Sequence, residues 1–282
     1  MPAERGTIPL SASYGGVMDQ IEVAGLRIAY ERSGTGPSLI LLHGYVGDGR
    51  ATWRRQIDEL SDEFTVVAWD APGMGRSADP PESFRLPDYA DCLAGFVAAL
   101  GLGRTHVIGL SFGGGLALEL YRRHPTIPAS LVLAGAYAGW AGSLPPQVVE
   151  ERLQQVLQLS DLPPDRFMRT VLPTMFSASA PVEIVDAFAA NVSAFHPAGL
   201  RVMARSFAEA DLRDVLPHIS VPTLLLYGDQ DVRAPLAVAE ELHAAIPASR
   251  LVILPGVGHV SSVEAGERFD DEVRPFLRSV QS

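Results

Sequence analysis

The chain has 282 residues, 47% of them hydrophobic, which is enough for one large core or for a core with a small appended domain. Its formal net charge of −11 disfavours anionic partners, so we expect it to bind neither nucleic acid nor a membrane surface. All 22 basic residues are arginine, and the absence of lysine excludes Schiff-base catalysis, a pyridoxal phosphate anchor and a P-loop.

The N-terminal residues and the single cysteine indicate a cytoplasmic protein. Residues 1–17 mix Pro, Ser and Gly without the apolar stretch of a signal peptide, so we predict a flexible tail. No apolar run reaches the roughly 20 residues that span a bilayer. Cys92 has no second cysteine with which to form a disulfide, and its apolar neighbours predict a buried, inert thiol.

Eight short apolar runs are predicted to be strands. The first two, separated by Ala24 and Gly25, predict an antiparallel hairpin at one edge of a sheet. Later runs such as Leu39-Ile40-Leu41-Leu42 do not alternate, which favours strands buried on both faces of a parallel sheet. The predicted strands are 20–23, 26–31, 38–43, 64–69, 105–109, 131–134, 223–227 and 250–254.

Helical patterns separate the strands, and this alternation predicts an α/β fold with right-handed crossovers. The alternation stops after the sixth strand, where only helical patterns punctuated by proline appear. We therefore expect a core domain of residues 18–139 and 218–282, with a helical cap at 140–217. The predicted helices are 51–61, 87–100, 112–124, 235–246 and 265–280 in the core, and 146–159, 164–171, 182–195 and 197–210 in the cap.

The segment Gly109-Leu110-Ser111-Phe112-Gly113 has the pattern G-x-S-x-G between a predicted strand and a predicted helix. In that context the pattern is typical of a nucleophile elbow, a tight turn that projects a serine hydroxyl above the sheet. A glycine-rich turn without a catalytic role is the alternative. Ser111 is therefore the candidate nucleophile.

A serine nucleophile that attacks a carbonyl needs N–H donors for the oxyanion that forms. We expect one donor to be the backbone N–H of Phe112 and the other to be that of Tyr45, in the loop after the third strand. The Tyr45 side chain is also a candidate for the pocket wall, with simple packing as the alternative. His43, in the same loop, is interpreted as a structural residue.

The candidate base is His259, which follows the last strand in the glycine-rich segment Pro255-Gly256-Val257-Gly258-His259. The carboxyl ends of strands carry the chemistry in open α/β sheets. The acid should lie between nucleophile and base, and Asp229 and Asp231 both follow the seventh strand. Local chemistry does not decide which of the two aspartates is the acid. The alternative role for either is to stabilise an Asx turn.

Four spaced motifs together resemble those of the α/β-hydrolase superfamily, over almost the whole chain. They are His43-Gly44-Tyr45, the turn Asp70-Ala71-Pro72-Gly73-Met74-Gly75-Arg76-Ser77, the elbow around Ser111, and Gly228-Asp229-Gln230-Asp231 with Gly258-His259. The resemblance implies a mostly parallel eight-stranded sheet flanked by helices, a helical cap inserted after strand six, and neither cofactor nor metal. Family members place the acid at the last position of G-x-x-D, often with a proline four residues on. Asp231 and Pro235 match, so the resemblance assigns the acid to Asp231.

Within the superfamily the chain is similar to small carboxylesterases and enol-lactonases. Epoxide hydrolases and haloalkane dehalogenases use an aspartate at the elbow, and Ser111 argues against both. We expect hydrolysis of a small, largely apolar ester or lactone by a Ser-His-Asp triad and an acyl-enzyme, in a monomer or homodimer. The alternatives are a carbon–carbon bond hydrolase of a β-diketone-like substrate and a ligand-binding receptor. The resemblance also implies that the cap roofs Ser111 with apolar side chains, and the candidate pocket residues are Tyr45, Trp140, Met168, Leu172, Met175 and Phe176.

Overall fold

A single eight-stranded sheet lies at the centre of the computed structural model, which describes residues 18–192 and 196–281. All eight predicted strands are present, with ends that shift by a few residues, whereas the tail predicted for residues 1–17 lies outside the described part. The strands are β1 (Asp19–Val23), β2 (Leu26–Ser33), β3 (Ser38–Leu42), β4 (Thr65–Trp69), β5 (Thr105–Leu110), β6 (Pro128–Ala134), β7 (Thr223–Gly228) and β8 (Ser249–Leu254).

The strand order is β1-β2-β4-β3-β5-β6-β7-β8, with the predicted hairpin at one edge. Two strand pairs are antiparallel, β1 with β2 and β2 with β4. The other five pairs are parallel. Ile40 in β3 lies between Val67 and Val107, and all three are fully buried. Both faces of the sheet are covered, which explains the runs without alternation. The carboxyl ends of six neighbouring parallel strands, β4, β3, β5, β6, β7 and β8, therefore meet at one edge.

The helices that cover the sheet pack against one another in two groups. Helix α1 packs against α9 and α10, and α2 packs against α3. No helix in the described ranges is both long and apolar enough to cross a membrane. The helices are α1 (Gly49–Leu60), α2 (Leu86–Ala99), α3 (Phe112–Arg123), α4 (Pro146–Leu159), α5 (Pro164–Val171), α6 (Val182–Asn191), α7 (Pro197–Glu209), α8 (Leu236–Ala245), α9 (Ser261–Glu264) and α10 (Gly266–Gln281).

Every regular element that the structure describes between β6 and β7 is a helix. Prolines occupy the first turn of α4, α5 and α7, where a missing N–H costs no hydrogen bond. Helix α6 ends at Asn191 rather than at 195, because Val192 turns to an extended conformation, and residues 193–195 lie outside the described part. Helix α4 packs on α7, and α6 packs on α1 and α9. The division into a core and a cap at 140–217 stays a proposal.

Candidate active site

Ser111 occupies the turn between β5 and α3, at the carboxyl edge of the sheet. Its φ of 55° and ψ of −112° lie in a region that non-glycine residues rarely adopt, so the turn holds local strain. A Cβ on Gly109 would lie 2.2 Å from the carbonyl oxygen of Gly113, and one on Gly113 would lie 2.2 Å from that of Leu42. The glycines of the motif are therefore required by close backbone contacts.

Asp231 and His259 form a buried pair in the loops after β7 and β8. His259 Nδ1 lies 2.7 Å from Asp231 Oδ2, and the two side chains are 5% and 0% exposed. The other carboxylate oxygen accepts the backbone N–H groups of Arg233 at 2.8 Å and Ala234 at 2.9 Å. An ionised Asp231 requires the proton on Nδ1, which leaves Nε2 with its lone pair.

The second candidate acid, Asp229, faces away from this pair. Its Oδ1 accepts the backbone N–H of Gly256 at 2.7 Å, and the residue is exposed. It therefore fixes the turn that follows β8. The structure brings Asp231 to His259 and leaves Asp229 in a turn-stabilising role.

Ser111 and His259 line the same small cavity, of about 10 Å³. That volume is close to the space that one water molecule needs. The remaining wall is formed by the loop after β3, the end of β5, the insertion and the loop after β7, through Gly44, Tyr45, Val46, Leu110, Met175 and Arg233. The turn at Ser111 is strained, the His259 imidazole is bound to a carboxylate, and both residues border one cavity. A site with these three features can perform acyl transfer.

Comparison with known proteins identifies the family of the chain. A sequence model described as the alpha/beta hydrolase family matches residues 39–272. The chain belongs to the α/β-hydrolase family. It is 31% identical to a pimeloyl-[acyl-carrier protein] methyl ester esterase of Vibrio vulnificus over 255 residues, which is 88% of this chain and 96% of that protein.

Solved structures place this hydrolase in the esterase-like branch of the family. A thermophilic esterase from Thermogutta terrifontis, solved with malate bound, superimposes with a TM-score of 0.85 at 29% identity, covering 94% of this chain and all of that one. An enol-lactonase from Burkholderia xenovorans gives a TM-score of 0.83 at 26% identity, covering 92% of this chain and all of that one.

The loop after β3 lies against Ser111 in this hydrolase. A Cβ on Gly44 would lie 3.6 Å from that of Ser111. The backbone N–H groups of Tyr45 and Phe112 have no hydrogen-bond partner among the described residues, so both remain available to an oxyanion. The Phe112 ring packs between those of Tyr89 and Phe207.

His43 holds this loop in place. Its Nε2 accepts the backbone N–H of Ala71 at 2.9 Å, so Nδ1 carries the proton and donates to the Gly44 carbonyl at 2.6 Å. Burial lowers the pKa of His43, which keeps the ring neutral. This geometry supports the interpretation of His43 as a structural residue.

Asp70 anchors the turn at 70–77, for which the sequence predicts a structural role. Its carboxylate accepts the backbone N–H of Gly49 at 3.0 Å and of Arg76 at 2.9 Å. Burial, followed by the charge of Asp48, raises the pKa of Asp70 to about 7.

The predicted pocket residues divide among several positions. Tyr45, Met168 and Leu172 line a cavity of about 610 Å³ between the sheet edge and the insertion, surrounded mostly by apolar side chains. Trp140 lines a separate cavity of about 160 Å³, which Tyr45 also borders. Met175 lines the small cavity of Ser111, whereas Phe176 lines none of these three cavities and packs against Phe188.

Arg233, which was not predicted from the sequence, lines both the cavity of Ser111 and the cavity of about 160 Å³. Its Nε donates to Thr174 Oγ1 at 2.9 Å, and its Nη1 donates to the Tyr45 hydroxyl. The only feature of the sequence that could have indicated a role for Arg233 is its position two residues after Asp231. Cys92 is buried, and burial raises the pKa of its thiol to about 12.

The described residues contain no cluster of three or more His, Cys, Asp or Glu side chains able to hold a metal ion.

Proposed function

We propose that this hydrolase cleaves a small carboxylic ester or lactone, with Ser111 as nucleophile, His259 as base and Asp231 as the residue that orients the imidazole. One observation carries the proposal: the imidazole that Asp231 holds at 2.7 Å lines the same cavity as Ser111. The names of the related esterases and the enol-lactonase support a carboxylic ester or lactone as the substrate.

The first half of the reaction forms an acyl-enzyme. Ser111 Oγ bonds to the carbonyl carbon while its proton passes to His259 Nε2. The carbonyl electron pair moves to oxygen, and the N–H groups of Tyr45 and Phe112 stabilise this oxyanion. When the carbonyl re-forms, the bond to the alcohol oxygen breaks, and that oxygen takes the proton from His259.

The second half repeats these steps with water. His259 removes a proton from water, the resulting hydroxide oxygen bonds to the acyl carbon, and the bond to Ser111 Oγ breaks. Ser111 recovers its proton from His259, and the acid leaves. Water is the only co-reactant that the two halves consume. The apolar cavity of about 610 Å³, which shares Tyr45 and Val46 with the Ser111 cavity, supports an apolar group on one side of the substrate.

The test is loss of p-nitrophenyl acetate hydrolysis in Ser111→Ala, by roughly a million-fold in kcat. A fluorophosphonate should label the wild type at Ser111 and leave the variant unlabelled. Ser83→Ala, which alters an exposed serine, is the control and should keep both properties.

Two results would replace the proposal by one of its alternatives. Turnover of a vinylogous diketone without turnover of esters would indicate a carbon–carbon bond hydrolase. Binding of small ligands without turnover of either substrate would indicate a receptor.

A further inference from the structure

Two arginines line one cavity beside the proposed catalytic site. Arg152 projects from α4 in the insertion, and Arg233 follows β7 in the loop that also holds Asp231. Both line the cavity of about 160 Å³. Arg233 and Tyr45 also border the small cavity of Ser111 and His259. Arg233 therefore lies at the boundary between the two cavities.

The guanidinium of Arg233 contacts only neutral groups among the described residues. Its Nε and Nη1 donate to the hydroxyls of Thr174 and Tyr45, and its guanidinium carbon lies 5.5 Å from the centre of the Tyr45 ring. Asp231, two residues away, already binds His259 and two backbone N–H groups. The positive charge of Arg233 thus lacks an ion pair among the described residues.

Arg152 also lacks an ion pair among the described residues. Its Nη1 donates to the Tyr137 hydroxyl at 2.9 Å, and its Nη2 donates to the Arg233 carbonyl oxygen at 2.9 Å. The described structure gives it no ion pair, and neither aspartate nor glutamate lines the cavity that it shares with Arg233. Two half-buried positive charges consequently face one cavity in a chain of net charge −11.

The remaining polar wall of this cavity is formed by Gln155, Thr170 and Thr174, which add amide and hydroxyl groups. A half-buried cation without a counter-ion is unfavourable, and an anion that enters the cavity would relieve this. The planar guanidinium matches a carboxylate, because it can donate two parallel hydrogen bonds to the two oxygens.

We propose that the cavity between Arg152 and Arg233 binds a carboxylate carried by the substrate, so that the preferred ester or lactone is a monoanion. The inference rests on the proposed function of Ser111, since Arg233 links this cavity to the cavity of the serine. The carboxylate lies on one side of the reacting carbonyl, and the apolar cavity of about 610 Å³ takes the group on the other side. The expectation of a largely apolar substrate then applies only to the substrate group that occupies the cavity of about 610 Å³.

The test compares monomethyl esters of malonic, succinic, glutaric and adipic acid with the neutral methyl esters in which a primary amide replaces the free carboxylate. The two molecules of each pair have the same shape and differ in charge. For the best chain length, wild-type kcat/KM should be about tenfold higher for the monoanion, as for one charged hydrogen bond. The inference is overturned if no monoanion exceeds its neutral partner.

Arg152→Gln and Arg233→Gln should each bring the ratio of monoanion to amide close to one. The ratio is taken within each variant, so a general loss of activity or of folded protein cancels. Arg166→Gln is the matched control, because Arg166 is an exposed arginine of the insertion that does not line the cavity. It should keep the wild-type ratio. An unchanged ratio in both cavity variants would contradict the assignment.

Free glutarate distinguishes a substrate subsite from a separate anion site. It should inhibit p-nitrophenyl acetate hydrolysis competitively, and Arg233→Gln should weaken this inhibition. Activation or non-competitive inhibition would indicate an effector site and overturn the inference. Hydrolysis of neutral esters without preference for the monoanion would refute this inference alone. Absence of any ester hydrolysis would refute the proposed function, and this inference with it.

Discussion

Asp231 and Asp229 are two residues apart in sequence, but only one of them contacts the imidazole. Asp231→Asn should lower kcat for p-nitrophenyl acetate by about ten-thousand-fold, because the amide favours the wrong imidazole tautomer. Asp229→Asn is the matched control and should stay within a few-fold of wild type, since its partner is the Gly256 backbone N–H. If the two variants ranked in the opposite order, the acid would be Asp229.

The sequence could predict single residues where their role depends on local geometry. Ser111 is marked by its glycines and by its position between a strand and a helix. Asp229 and Asp231 could not be separated by local chemistry, and only the resemblance to a family chose between them. Arg233 was missed because its partners Thr174 and Tyr45 lie 59 and 188 residues away along the chain. Contacts of this kind leave no local pattern.

The loop after β6 passes directly beneath the proposed base. A Cβ on Gly135, where φ is 49°, would lie 3.0 Å from both Cε1 and Nδ1 of His259. Gly135→Ala should therefore displace the imidazole and lower kcat by about tenfold to a hundredfold. Steady-state kinetics with p-nitrophenyl acetate would measure this loss.

The control for this substitution is Gly101→Ala. Gly101 has a similar φ of 64°, and a Cβ there would meet nothing within 4 Å. Both variants should lose about 1 kcal/mol of stability from the left-handed backbone, but Gly101→Ala should keep its activity. Equal kinetics in the two variants would show that the collision with His259 has no effect.

Elements were predictable in proportion to their length. Every strand and every helix of eight or more residues had an apolar run or a helical period in the sequence. The one-turn elements were not predicted: α9 and the 3₁₀ helices Leu172–Thr174 and Leu216–His218. A single turn shows no period, so tertiary contacts decide its conformation. The eight-stranded, mostly parallel sheet with flanking helices is confirmed. Its five central strands, β3 to β7, are almost entirely buried, which is why their apolar runs were easy to recognise.

At the scale of the whole molecule, Asp70 should make stability depend on pH. Its folded-state pKa of about 7 exceeds its ordinary value of 3.8, so the folded protein binds this proton more tightly than the unfolded chain does. The contribution of Asp70 to stability is therefore complete below about pH 3.8 and is lost as the pH rises to about 7. Asp70→Asn removes this dependence.

Urea unfolding between pH 4.5 and pH 7.5 measures this effect. The free energy of unfolding of wild type should fall relative to that of Asp70→Asn as the pH rises. The substitution also removes an acceptor for Gly49 or Arg76, which adds a loss that does not change with pH. A constant difference between the two proteins would contradict the raised pKa of Asp70.

The insertion is tied to the base by the carbonyl of Met175. This single oxygen accepts the backbone N–H groups of His259 at 2.9 Å and Val260 at 3.1 Å. Glu264 reinforces the connection, since Oε2 accepts the N–H groups of Gly258 and Ser177. Although residues 175–177 belong to the insertion by sequence, their hydrogen bonds join them to the loop that carries the imidazole. An engineered chimera that replaces part of the insertion by the helices of a related enzyme should therefore keep residues 175–177. The C-terminal end of the transplanted segment should lie before Thr174.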